Sequence, residues 1–519
     1  MTIGPMTKGS VVKTRMSSHD QSNRIGKAAW VVAACAVLLA FWIICQSAAV
    51  CFSQDAPSVV LRDVVIDSSE ILSEEEIQSV THGYIGKSVT VADLNQMVEE
   101  INELYRAKNV VTAKAILPAQ TVENGVVRVR LVEGRIGKVL VEGNTNAVAS
   151  YYTDRIRLVT GELVRLDDIT EAVAYFNRVD EDQVAVQLMP GEEFGTTDCL
   201  LVVHEVPDQL LTFVDNSGRD DTGLIRTGFT AVLRHLHGLG DHLTVSVAWA
   251  DETFACSASY RIPTGVRGAK LTIGADKSDV NVMTPGFGAL GVQGHSSGSH
   301  IEWSWPMIAE PEFRLWGSIR LQWKNSSSSL AGTTLLSSTA RTARIALSAQ
   351  WVEQGFSWQG GCEYVYGVVV PGFGGSESST FNKLGASLTW QKALSDRYFL
   401  TLRGALQIAP EQLPSSDVFS VGGASSVRGY TEGELIGDQG YFGSIEFSTP
   451  IAEKHRGSVF LDYAGAFAAS GGAMPGLATQ IASAGIGLSG TLAGVEYRLT
   501  YGVWEGRSPG FHASLQKWF

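Results

Sequence analysis

The sequence predicts two small mixed α+β domains followed by a transmembrane antiparallel β-barrel. Three observations carry that reading. From about Gln209 to the end, apolar and polar residues alternate with a period of two, whereas before Pro207 the apolar residues recur at helical spacing. Ten of the 12 Trp lie after Gln209 and the other two fall in an N-terminal apolar segment, and tryptophan favours the membrane–water interface. The chain finishes in a strand-like run, Phe511 to Phe519, and a barrel needs such a strand to pair with its first. A soluble sandwich would share the alternation. It would not explain Arg recurring on the polar face, which suits a wet lumen.

Composition agrees. The 519 residues are 45% hydrophobic but only 18% charged, below the roughly 25% of ordinary soluble domains. A net charge of −13 argues against a broad basic surface, so no nucleic-acid partner is expected. Met1 to Ser53 carries +4 of charge, leaving −17 on the rest. Within it Ala28 to Cys45 is uncharged and apolar, behind Arg24 and Lys27 and ahead of Ser47-Ala48-Ala49. That order predicts a signal peptide over residues 1–53 with a long n-region. An uncleaved anchor is the alternative by length, but a barrel in the outer membrane cannot easily share a chain with an inner-membrane anchor only about a dozen residues upstream. Cys199, Cys256 and Cys362 are scattered, as are the ten His, so neither disulfides nor a metal are expected.

The first small domain is expected over residues 58–135. Ser73 and Glu76 form a capping box, with Leu72 and Ile77 placed as a hydrophobic staple. A second helix opens at Thr90 and carries Leu94, Met97, Val98, Ile101, Leu104 and Tyr105 on one face. Strand-like Val111 to Leu117 follows, and Asn124-Gly125 turns the chain into Val126 to Val132. The order β-α-α-β-β recurs over residues 136–207: a strand from Ile136 to Val141, helices over Ala147 to Leu158 and Leu166 to Asn177, and strands over Gln183 to Met189 and Cys199 to His204. Sheets this small leave edges open to an extended peptide.

The barrel is expected over residues 209–519. Leu243, Val245, Val247 and Trp249 alternate with polar or small residues, as do Phe313, Leu315, Ile319, Leu321 and Trp323. Asn325 to Arg341, Pro371 to Thr380 and Ala466 to Gln480 read as Gly/Ser-rich loops. The connection with the most distinctive chemistry lies between Ile408 and Tyr441. It contains Val421-Gly422-Gly423 and Ser426-Val427-Arg428-Gly429-Tyr430.

With these residues the sequence resembles two-partner secretion outer-membrane transporters of the haemolysin-activator type, the TpsB (ShlB/FhaC/HecB) family within the BamA superfamily. Leu117, Pro118, Gln120 and Gly125 resemble the signature of that family's first polypeptide-transport-associated (POTRA) domain, and Leu188-Met189-Pro190-Gly191 that of the second. Val214-Asp215-Asn216, Gly238-Leu239-Gly240-Asp241 and Ser259-Tyr260 with Pro263 resemble the barrel start. The resemblance implies about 16 strands, which gives about 19 residues per strand and connection and suits membrane strands of about 9–11 residues. It implies that Val427, Arg428, Gly429 and Tyr430 tip a loop folded back into the lumen. Arg428 would meet Asp462 within Phe460-Leu461-Asp462-Tyr463-Ala464-Gly465, where Ala464 stands in place of a usual Gly and Gly465 comes one residue late. Phe460, Asp462 and Gly465 are thus the expected pinning partners, and Trp518 and Phe519 the barrel-closing signal. Only Gln54 to Pro57 separates the expected cleavage region from Val59, so no plug helix is expected in the lumen.

The implied function is export of an unfolded TpsA-type exoprotein captured by the periplasmic POTRA domains. The implied partners are that exoprotein, outer-membrane lipids and the barrel-assembly machinery during biogenesis, without a cofactor. Lumen-facing Arg314, Arg320 and Arg344 would meet the passing chain. A BamA-type assembly factor, a passive porin and an adhesin are the alternatives. Gly294-His295-Ser296-Ser297-Gly298 matches the hydrolase elbow G-x-S-x-G, but that motif needs a strand running into a helix. Here it reads as a loop between strands, and the protein is taken as a non-enzyme.

Overall fold

A computed structural model describes residues 57–282, 292–373, 378–469, 479–504 and 509–519. The expected signal peptide and the question of a plug helix lie outside the described residues.

In the first small domain β1 (Val59–Val60) pairs β3 (Ser88–Val89), and β2 (Asp63–Ile66), β5 (Val126–Val132) and β4 (Lys114–Ile116) form a sheet in the order β2-β5-β4. Helices α1 (Glu74–Thr81) and α2 (Val91–Ala107) accompany it. The capping box forms: Glu76 N–H donates to Ser73 Oγ at 3.2 Å, and Ser73 N–H donates to the Glu76 carboxylate at 2.8 Å. Thr90 and Asp93 do the same for α2. Met97, Ile101 and Leu61 are fully buried, as the apolar face of α2 requires. The strand expected from Val111 shortens to Lys114–Ile116.

The second small domain repeats the order. β6 (Arg135–Glu142), β8 (Thr196–His204) and β7 (Gln183–Pro190) form the sheet β6-β8-β7, with α3 (Ala149–Ile156) and α4 (Leu166–Val179). Tyr151, Tyr152 and Phe176 make an edge-to-face aromatic core. One device is shared by both domains. Asn102 on α2 bonds both backbone groups of Ala115 on β4, and Asn177 on α4 bonds both those of Val184 on β7. Each helix thereby occupies a rung of the hairpin's edge strand, leaving β2 and β6 as the other edges.

Sixteen antiparallel strands then close into a barrel. They begin with β9 (Gln209–Asp215), β10 (Arg226–Arg234), β11 (His242–Ala250), β12 (Thr253–Thr264) and β13 (Ala269–Val282). The tall wall follows: β14 (Val292–Ala309), β15 (Phe313–Leu330), β16 (Thr333–Glu353), β17 (Phe356–Pro371) and β18 (Ser379–Ala393). After β19 (Phe399–Ile408) the chain makes a short hairpin of β20 (Phe419–Val421) and β21 (Leu435–Gly437), which lies outside the barrel ladder. β22 (Gln439–Ala452), β23 (His455–Phe467), β24 (Gln480–Leu492), β25 (Val495–Val503) and β26 (Gly510–Trp518) complete it. β26 pairs β9 from Trp518↔Leu211 to Ser514↔Asp215, and Phe519 and Leu210 exchange backbone bonds of 2.9 and 3.3 Å.

Period-two alternation sorts the faces. Ile273, Ile301, Leu321, Ile345, Leu388, Ile445 and Leu461 are exposed on the outside. Glu302, Arg320, Arg344 and Glu363 form a lumenal ion ladder across β14–β17 with bonds of 2.6–3.1 Å. Two expectations are corrected here. Residues 325–341 are not a loop: β15 and β16 continue through them to a tight turn at Ala331-Gly332, both at positive φ. The Gly294–Gly298 run likewise lies inside β14, paired to β13 and β15. Both stretches continue strands past their apolar run, where no lipid enforces alternation. Serine-rich sequence then looks like loop while the ladder continues.

Candidate functional site

The long connection 409–438 turns inward instead of away from the barrel. Its feet are fixed first. Asp438, buried, accepts the N–H groups of Leu413 and Ala469 at 2.8 Å each, and Leu413 and Ala409 pack on lumenal Val365 and Phe381. The tip is then shaped by its own polar groups. Gly422 and Gly423 take φ of 114° and 99°, Gly422 N–H donates to Ser426 Oγ, and Ala424 N–H donates to the Glu432 carboxylate.

Arg428 sits at the apex with its head group almost completely buried. Alternation on β23 aims Phe460, Asp462, Ala464 and Ala466 into the lumen, and that face meets the tip. Arg428 donates to Asp462 three times, from its backbone N at 3.0 Å and from Nε and Nη2 at 2.9 Å each. Nη1 donates to Glu446 on β22. Ser444 Oγ accepts from Nη2 at 3.2 Å and donates to Asp462 at 2.7 Å. The guanidinium plane lies over the Phe460 ring, 3.5 Å from its centroid. A planar fork with two carboxylates and an aromatic floor is a setting lysine cannot reproduce. Arg403 stands beside it, bonded to Ser425 O and Ser444.

The next two residues reach the far side of the closing hairpin. Gly429, at φ 96°, donates its N–H to His512 Nε2 on β26 at 3.0 Å. Its backbone lies against paired glycines: a Cβ at Gly510 would stand 1.9 Å from Gly429 O, and one at Gly502 would stand 2.4 Å from Arg428 O. Tyr430 stacks on Trp504 with centroids 4.3 Å apart and donates to Ala482 O. Val427 is fully buried among Val421, Tyr430, Leu435 and Ala464.

The structure thus brings together Val427, Arg428, Gly429, Tyr430, Phe460 and Asp462. Gly465 is a correction. It falls on the opposite face of β23 from Asp462, under the Tyr441 ring that a Cβ would meet at 2.9 Å, so a side chain there would point away from the Arg428 tip. Ala464, in the usual glycine's place, is fully buried against the tip with its methyl accommodated. Arg320 and Arg344 are each already paired with carboxylates in the ion ladder. Phe519 continues the outward row of Phe511 and Leu515, while Trp518 falls on the row of Gln516. Leu117, Pro118, Gln120, Gly125, Pro190 and Gly191 lie far from the loop in chain and serve their own turns. Gln120 bonds both backbone groups of Arg128, Gly125 takes φ 76°, and Gly191 donates to Thr196 O.

Sequence reasoning missed Glu446, Ser444, His512, Trp504 and the Gly502–Gly510 pair. A signal existed for Glu446 and His512, each a charged or polar residue on the inward row of a strand. The glycine pair had none, because register is set by the completed ladder.

The barrel-start motifs build a second polar cluster, where the second small domain meets the turns 235–241 and 265–268. Asp241, buried, accepts from Tyr260 Oη at 2.5 Å and from the N–H groups of His237 and Leu239. Burial works against its charge, but those donors win and hold the carboxyl below its usual range. Gly238 O accepts Val148 N–H at 2.9 Å, and the Tyr151 ring fills the space a Cβ on Gly240 would need. Asp182, buried, sits 3.3 Å from His235 Nε2 and accepts from Tyr152 and Val206 N–H. The contact with Asp182 raises the His235 value despite its burial.

Comparison with known proteins places the chain in a family. The family model described as haemolysin secretion/activation protein ShlB/FhaC/HecB matches residues 199–490, and that of the ShlB-type POTRA domain matches residues 59–134. The heme/hemopexin transporter protein HuxB of Haemophilus influenzae is 23% identical over 418 residues, covering 76% of this chain and 74% of its own. The outer membrane transporter CdiB of Dickeya dadantii is 23% identical over 412 residues, covering 74% and 71%. Among solved structures, CdiB from Escherichia coli aligns with a TM-score of 0.61 at 19% identity, covering 90% of this chain and 92% of its own. BamA from Haemophilus ducreyi lacking POTRA domains 1–3 aligns with a TM-score of 0.56 at 14% identity, covering 89% and 100%; at these identities both speak for the fold alone. A family model spanning more than half the sequence, over a closed barrel with a POTRA domain ahead of it, settles the assignment: this chain belongs to the haemolysin secretion/activation (ShlB/FhaC/HecB) family of outer-membrane transporters.

Proposed function

We propose that this protein exports one dedicated exoprotein across the outer membrane, with the seated loop as the lumen's closed state. The small domains lie in the periplasm and receive the unfolded exoprotein as an added strand. With Asn102 and Asn177 holding the β4 and β7 edges, and Ile136 at the start of β6 already bonded to Gly161 and Glu162, the outer edge of β2 and the part of β6 beyond Ile136 are the receiving ones. The chain then threads the lumen after the Arg428 tip leaves Asp462, and folds outside without nucleotide or catalysis. Outer-membrane lipids surround the apolar belt, and the assembly machinery takes up the terminal strand ending in Trp518 and Phe519 during biogenesis.

The observation that carries this reading is the Arg428 clamp. A guanidinium held by two carboxylates inside a closed barrel suits a device that must be tight at rest and reversible, because its parts are polar and rehydrate when they separate. The test is quantitative mass spectrometry of medium and outer membrane with and without the gene. Loss of one large secreted protein while other barrels persist is the expected result. A joint fall of many outer-membrane barrels would instead mark an assembly factor, the reading the fold's likeness to BamA favours. No change in either fraction, with the partner expressed, would overturn export.

A further inference from the structure

We infer that the loop tip also latches the barrel seam, with Asn216 and His512 as the positioning residues. The inference rests on the export reading only for its use in transport; its geometry is independent of any exoprotein. β9 ends at Asp215, where Ser217 N–H turns back onto the Asp215 carboxylate at 2.8 Å, so the residue-for-residue ladder with β26 stops at Asp215↔Ser514. β26 nevertheless begins at Gly510. Asn216 supplies the missing neighbour. Its backbone N–H donates to Ala513 O at 3.2 Å, its Nδ2 donates to Phe511 O at 2.8 Å, and its Oδ1 accepts Ala513 N–H at 2.7 Å. A side-chain amide carries the same donor and acceptor as a peptide group, so it prolongs the ladder where the backbone departs.

The same stretch is held from within the lumen. Gly429 N–H donates to His512, which lies between Phe511 and Ala513, and the Gly429 carbonyl presses on Gly510. Loop tip and Asn216 therefore grip one short segment of the closing strand from two directions. The segment matters because the β9–β26 ladder is the shortest in the barrel. While the tip is seated the outer end of the seam is shut. When the tip withdraws to clear the lumen, Gly510 and His512 lose their partner and that end rests on Asn216 alone.

Hydrogen-exchange mass spectrometry on the full-length purified protein in lipid nanodiscs tests this without an exoprotein. Replacing residues 424–433 by a Gly/Ser linker of equal length should speed exchange in peptide 510–519 by about fivefold to tenfold, with 209–216 following and β16–β18 unchanged. His512→Leu should give the same local acceleration. His512→Gln keeps an acceptor for Gly429 N–H and should restore wild-type exchange, which a merely space-filling histidine would not predict. Asn216→Ala should accelerate 510–519 with the loop still protected. Unchanged exchange at 510–519 after tip replacement would overturn the latch, as would acceleration spread over every strand. Because no export is measured, failure here leaves the transport reading standing, and failure of that reading leaves this result unaffected.

Discussion

Substituting Asp462 by alanine puts the largest calculable strain on the loop without touching the barrel ladder. Asp462 is fully buried and accepts four hydrogen bonds, three from Arg428 and one from Ser444. Removing one member of a buried ion pair costs about 3–5 kcal/mol, because the survivor is left uncompensated. Glu446 remains bonded to Arg428 Nη1 and takes part of the charge, so the lower end applies. About 3 kcal/mol corresponds to a loss of roughly a hundredfold in the ratio of seated to unseated loop. The backbone pairings of residue 462 with Ser444 and Ser483 do not involve the side chain and should persist. Protease cleavage within residues 421–435 reads the unseated fraction when opening and closing are fast. Asp462→Ala should be cut roughly a hundredfold faster than wild type, Asp462→Asn should fall between, and unboiled gel mobility should show the barrel folded in both. Cleavage of Asp462→Ala at the wild-type rate, in a folded barrel, would refute the pinning argument.

Three further outcomes are expected. Gly510→Ala leaves every charge in place yet sets a methyl 1.9 Å from Gly429 O, so it should unseat the tip in the same assay, whereas Gly443→Ala, with open space around it, should not. Tyr430→Phe removes the bond to Ala482 O but keeps the ring and should stay near wild type, while Tyr430→Ala also loses the stack on Trp504, worth about 0.5–1.5 kcal/mol beyond its burial, and should be cut about tenfold faster. The third concerns pH at the small-domain junction. His235 is raised when folded, so its contribution is full below about pH 6.5 and is lost as pH rises through the folded value; Asp182 is lowered, so its share is present above about pH 4 and is lost on acidification. The difference in unfolding midpoint between wild type and His235→Gln should therefore be largest between about pH 4 and 6.5 and shrink toward pH 8.5.

Much of this was readable from the chain because the responsible forces are local. The capping box at Ser73 and Glu76 and the turn at Asn124-Gly125 follow from residue types a few positions apart. Lipid contact imposed alternation on β11 and on the first half of β15, and their positions were legible for that reason. The outer halves of β14–β16 were not, since above the apolar belt hydrogen bonding alone holds the strands and leaves serine runs without a period. At the loop, Arg428 and Asp462 were identified through the resemblance. Assigning Gly465 to the same cluster failed on parity: three residues from Asp462 is an odd step, and an odd step crosses the sheet. Glu446 and the Gly502–Gly510 pair depend on which strands become neighbours, a property no single segment carries.

The attachment of the second small domain has a mechanical consequence. Its bonds to the barrel gather at one arc of the rim. Tyr175 reaches Arg267 O, Glu181 reaches Arg234, Val148 reaches Gly238 O, and Pro207 and Asp208 are both held by Arg234 before the chain runs straight into β9. The domain is a cantilever fixed to the ends of β9–β13. Tension on a captured chain is therefore delivered off-axis, as a torque on that arc, and the β10–β13 hairpins resist it in shear. The strand that takes the tug most directly is β9, one side of the barrel's shortest joint.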